Sequence, residues 1–150
     1  MKYLITAILL VVFIGTSYAA DDDAEIVFSY SYSMRIANNQ VVIYFNPDKN
    51  LLRVVEKTLE AKDVARNVSV TEQQVNRVIH LFSAIAWDKV DPDSIPGLDG
   101  YTYAVHSKNI KKSVWVPEYK STERGLDDFR KLCSYVLEVS GLDENALSVE

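Results

Sequence analysis

Between residues 25 and 36 apolar and polar side chains alternate almost without a break. Ile26, Phe28, Tyr30, Tyr32, Met34 and Ile36 fall on one side, and Glu25, Ser29, Ser31, Ser33 and Arg35 on the other, with Val27 the exception. Successive side chains of a strand point to opposite faces, so this run is a strand with one covered face and one wet face. That excludes a parallel sheet buried on both sides. It calls for an antiparallel sheet and for a layer of helices to cover a single face.

Two segments can supply that cover. Thr71 and Gln74 have capping-box spacing, and Val75, Val78, Ile79, Phe82, Ile85 and Ala86 follow as one apolar stripe. Arg77, His80 and Ser83 lie off the stripe, and Trp87 marks its end. The second segment is predicted as a helix over residues 123–140. Its stripe is Leu126, Phe129, Leu132, Cys133, Val136 and Leu137, with Ser121 or Thr122 as the N-cap. Gly141 suits the left-handed residue that ends a helix, and Leu142 can fold back on the last turn.

The remaining strands are read from shorter runs. Residues 41–45 form an unbroken apolar run, which suggests a central strand. Residues 46–50, Asn-Pro-Asp-Lys-Asn, make a turn, and residues 51–59 read as either a strand or a helix. The charged stretch 60–67 reads as a loop. Tyr101, Tyr103 and Val105 alternate with Thr102, Ala104 and His106; after a Ser-Lys-Asn turn, Ile110, Val114 and Val116 alternate with Lys111, Ser113 and Trp115. This is an antiparallel hairpin, stopped by Pro117. The expected fold is therefore α+β: an antiparallel sheet of about five strands with two amphipathic helices packed on one face, in the order ββ(β)αββα.

The first residues carry an address. Lys2 is followed by an apolar run from Leu4 to Ile14, and small residues Ser17 and Ala19 precede Ala20. That order predicts a signal peptide over residues 1–19, with one exported domain over 20–150 whose ordered core spans about 25–142. The apolar run is shorter than the roughly 20 residues of a membrane-spanning helix, so no stable anchor is expected after processing. The predicted location is periplasmic or secreted, in soluble form. The formal net charge of −5 argues against nucleic acid and anionic membrane as partners. The single cysteine, Cys133, cannot close an internal disulfide, and its place in an apolar stripe marks it as core rather than nucleophile.

Candidate chemistry is sparse. The two histidines, His80 and His106, fall on polar faces and lack the convergent ligands of a zinc site. Asp88, Asp91, Asp93 and Asp99 gather in a Pro-rich connection but lack the glycine and terminal glutamate of a calcium loop. Neither they nor Asp21, Asp22 and Asp23 read as more than solvated acids, and no cofactor is expected. Trp115 stands out. If Val114 and Val116 face the closing helix, Trp115 points to the outer face with His106, Lys111 and Thr102, and these four residues are the candidate partner-binding site.

The element order, together with the sequence Asp99-Gly100-Tyr101-Thr102-Tyr103 leading into the hairpin, resembles small secreted proteinaceous protease inhibitors of the emfourin type. Proteins of that type act on thermolysin-like metalloproteases, and the likeness spans about residues 25–142. It implies an inhibitor and assigns no inhibitory residue. The functional expectation is an exported protein, not an enzyme, that inhibits or neutralises a protein partner, as a protease inhibitor or a toxin-immunity protein does. The alternatives are an exported enzyme with a cryptic site near residues 88–99 and an accessory envelope protein without catalysis.

Overall fold

The computed structural model describes residues 24–32, 40–57, 62–90, 100–117 and 126–142. The strands are β1 (Ile26–Tyr32), β2 (Gln40–Asn46), β3 (Leu51–Lys57), β4 (Val64–Ser69), β5 (Gly100–Ser107) and β6 (Lys111–Pro117), and the helices are α1 (Glu72–Ala84) and α2 (Asp127–Val139). The strands form one antiparallel sheet in the order β4-β3-β2-β1-β5-β6. The α+β expectation holds, with a sheet of six strands rather than five.

The extra strand is β4, in the stretch expected to be a loop. Its inward positions are Val64, Arg66 and Val68, and its burial is slight, with Val64 59% exposed. A border strand pairs on one side only and needs little apolar content, so Lys62, Asp63 and Arg66 disguised it. Residues 51–57 resolve as strand. A tight turn joins them to β2: Asn50 sits at φ 49°, its N–H donates to the Pro47 carbonyl at 3.2 Å, and the Lys49 N–H donates to the Asn46 side chain at 3.0 Å.

Register sorts the side chains by face. Phe28 stands opposite Ile43 on one side and Val105 on the other, and Tyr30 opposite Val41 and Tyr103. These residues form one core with Val75 and Val78 of α1 and with Phe129, Leu132, Cys133, Val136 and Leu137 of α2. Both helices therefore cover the same face. At the centre, the Tyr30 and Tyr103 rings meet edge to face at 5.6 Å. The Tyr30 hydroxyl donates to the Cys133 carbonyl at 3.0 Å, so the buried oxygen has its partner.

The helix ends follow the sequence unequally. At α1 the capping box forms: the Gln74 N–H donates to Thr71 Oγ1 at 3.2 Å, and the Thr71 N–H to Gln74 Oε1 at 2.8 Å. At the other end, Trp87 Nε1 donates to the Phe82 carbonyl at 3.1 Å and satisfies a helix-end acceptor. The α1 stripe is narrower than expected. Val75, Val78 and Ile85 are buried and Phe82 half-buried, but Ala86 is exposed and Ile79 is 44% exposed. The helix rests on the row 75-78-82-85, which turns Ile79 outward.

Helix α2 begins at Asp127 after Leu126, whose side chain makes no capping bond. The predicted caps Ser121 and Thr122 lie outside the described residues, as do residues 33–36 of the first alternating run and the signal segment 1–19. Its far end matches expectation. Gly141 has φ 76°, its N–H donates to Glu138 O at 2.9 Å, and the Leu142 N–H donates to Leu137 O at 3.0 Å. This double bond pattern closes the helix, and Leu142 packs on the core.

Candidate functional site

The face of the sheet away from the helices is where the candidate residues meet. Pairing of β5 with β6 sets Thr102 opposite Trp115 and His106 opposite Lys111, while Tyr103 stands opposite Val114. Val114 and Tyr103 are fully buried under the helices. Alternation then places Trp115, Thr102, His106 and Lys111 on the outer face, as two cross-strand pairs separated by Ala104 and Ser113. His106 and Lys111 are exposed, and Thr102 and Trp115 are half-buried. The Trp115 indole nitrogen is buried, so its N–H is not part of what the ring offers to solvent.

The same registers extend this face across the sheet. Lys111, His106, Val27, Tyr44, Arg53 and Asn67 form one continuous row of directly opposed residues. Arg53 lies over the Tyr44 ring, 5.9 Å from its centroid. A second row runs Trp115, Thr102, Ser31, Gln40 and Lys57. Between them lie Ser113, Ala104, Ser29, Val42, Val55 and Ala65. Gln40 Nε2 donates to Ser29 Oγ at 2.8 Å across two of these rows. Val42 and Val55 are buried on this side, at 7% and 5% exposure. The wet face inferred for the first strand thus carries a small apolar patch. Tyr44, part of the apolar run expected to form a central strand, stands on this face opposite Val27 and Arg53.

Sequence reasoning missed one concavity. A cleft of about 530 Å³ lies between α1, the start of β1 and the β5–β6 turn, and its apolar walls are Ile26, Phe45, Ile79, Phe82, Trp87 and Ile110. Glu25, Lys108 and Asn109 are among its polar lining residues. The signal was present in the sequence as an α1 stripe wider than one sheet can cover. The surplus residue, Ile79, became a wall of the cleft.

Of the alternative site near residues 88–99, residues 88–90 are described and 91–99 are not. Asp88 is exposed, whereas Asp91, Asp93 and Asp99 lie outside the described residues. His80 is exposed on α1 beside Arg77 and Tyr135, across the sheet from His106. Among the described residues no three His, Cys, Asp or Glu side chains come together as metal ligands. Within the same residues no helix is long and apolar enough to cross a membrane. No protein-family model matches this sequence, and no curated protein matches it significantly.

Proposed function

We propose that this chain is an exported binding protein that inhibits or neutralises a protein partner through the outer face of its sheet. The observation that carries the reading is the sidedness of the β5–β6 hairpin. Val114 is fully buried under the helices, while its neighbour Trp115 is presented on the opposite face beside Thr102, His106 and Lys111. Large aromatic residues with a basic neighbour are frequent anchors of protein interfaces. A strand-built platform holds them rigidly, so little conformational freedom is lost on docking. The likeness in element order to emfourin-type inhibitors favours a protease as the partner; a toxin is the other class that this kind of neutralising surface suits.

The test uses the chain recovered after export, whose intact mass is expected to place its first residue at or next to Ala20. Affinity capture from the extracellular or periplasmic fraction identifies the partner. Trp115→Ala is then expected to weaken that complex by about 2 kcal/mol or more, with the melting temperature nearly unchanged. A large loss of stability with unchanged binding per folded molecule would make Trp115 a structural residue and remove this reading.

A further inference from the structure

The cleft between α1, the start of β1 and the β5–β6 turn lies on the helix side of the sheet. Its volume of about 530 Å³ falls within the roughly 300–1,000 Å³ typical of binding clefts. Its floor is Ile26 and Phe45, both buried, and its helix wall is Ile79, Phe82 and Trp87. Ile79 and Val64 are the large apolar side chains left exposed among the described residues, and Ile79 stands in this concavity. Both side-chain donors of the helix wall are already used. Trp87 Nε1 donates to the Phe82 carbonyl at 3.1 Å, and Ser83 Oγ to the His80 carbonyl at 3.0 Å. That wall has carbon and no donor to offer a ligand. The other polar lining residues gather at the turn side, as Ser107, Lys108 and Asn109 with Glu25. Continuing the β1–β5 register by one residue sets Glu25 opposite Lys108. These two are the charged residues lining the cleft, one of each sign. Backbone bonds hold this rim in place: the Glu25 N–H donates to Phe45 O at 3.0 Å, and the Ser107 N–H to Ile110 O at 2.8 Å.

We propose that this cleft takes one large apolar residue of an extended polypeptide segment, its side chain on the helix wall and its peptide groups at the turn. This goes beyond the binding role proposed above: it is a second site, on the other side of the sheet, and it does not depend on Trp115. The charge of the rim selects the occupant. An ion of either sign meets a like charge there as well as an unlike one, and so is disfavoured. A peptide unit has no net charge. Its N–H donates to the Glu25 carboxylate, and its C=O accepts from Lys108 or Asn109. An extended segment leaves both peptide groups of a residue free for this, whereas a helix uses them internally. The side chain of that residue covers Ile79 and the rings of Phe82 and Trp87, which lie 4.8 Å apart, and removes apolar surface that the fold leaves wet.

The smallest probe is N-acetylphenylalanine amide, one large side chain between two peptide groups. Titrated into the folded chain, it is expected to shift the NMR signals of the Trp87 indole and the Lys108 amide to saturation. The glycine analogue, which lacks the side chain, is expected to bind about tenfold more weakly or worse. Ile79→Glu, which puts a charge in the wall, is expected to cause a similar loss. Val64→Glu places the same charge on β4 and is expected to change binding by less than about twofold. Ile79→Ser trims the wall without adding charge and keeps the test open if Ile79→Glu fails to fold; unchanged affinity in it would overturn the proposal. Phenylalanine amide, a cation, and N-acetylphenylalanine, an anion, are each expected to bind about threefold more weakly than the neutral probe. Equal binding of the three forms would leave a plain apolar cleft and overturn the peptide assignment. Absence of saturable shifts, or an equal loss in Val64→Glu, would overturn it as well. Trp115→Ala is expected to leave the probe's affinity unchanged, so this site and the outer face stand or fall separately.

Discussion

Phe129 is the residue on which the packing can be weighed most directly. It is fully buried, and its ring meets Trp87 edge to face at 6.1 Å, with Trp87 in turn 4.8 Å from Phe82. It thereby ties the second helix to the exit of the first. Phe129→Ala removes the ring's burial and leaves a cavity that surrounding side chains fill only in part, so a thermal melt is expected to show a loss of about 3–5 kcal/mol. A loss below about 1 kcal/mol would mean that the neighbours collapse into the space. Period alone marked this residue as core, as it did Leu132 and Val136. Ile79 has the same hydrophobic character and a place in the same kind of pattern, yet it is exposed. Periodicity locates the centre of a stripe well. The stripe's edge depends on how the helix is rotated on the sheet, which is set by partners distant in sequence.

Among the elements, α1 was announced by a local signal that the fold preserved intact. Thr71 and Gln74 exchange bonds within one turn and need no tertiary partner, which is why their spacing alone revealed them. Thr71→Ala is expected to cost about 1 kcal/mol in chemical denaturation while Thr71→Ser costs little, because serine keeps the accepting oxygen. Equal losses in the two variants would assign the effect to the threonine methyl group instead. The end of α2 was equally plain, since only a residue tolerant of positive φ closes a helix in this way. Strand β4 was invisible for the opposite reason. What makes it a strand is the neighbouring β3 backbone, and that contribution leaves no mark on its own side chains. The candidate site shows the same division. Two-residue alternation revealed which way Trp115 points, but Arg53 and Tyr44 joined it only through pairings across the sheet.

At the level of the whole molecule, the long first strand is the hub. β1 pairs with β2 after a short connection and with β5 across more than half of the described chain. Pairing over that separation carries a loop-closure cost and leaves no local sequence trace, so the sheet order was not legible although its strands largely were. It also means that the core is completed late in the chain, when α2 seats on the sheet. Cys133 lies in that helix, is 1% exposed, and is in no disulfide. A thiol shut away like this reacts only when the structure opens, so its rate of modification by a disulfide reagent counts openings. In native buffer that rate is expected to be slow and to rise in Phe129→Ala in proportion to the stability lost, whereas immediate full labelling of the native protein would contradict a closed core. If the chain is exported as proposed, into an oxidising compartment, the same enclosure sets a deadline. From emergence until α2 docks, the sulfur is open to pairing with a stranger, and folding is what withdraws it from that chemistry.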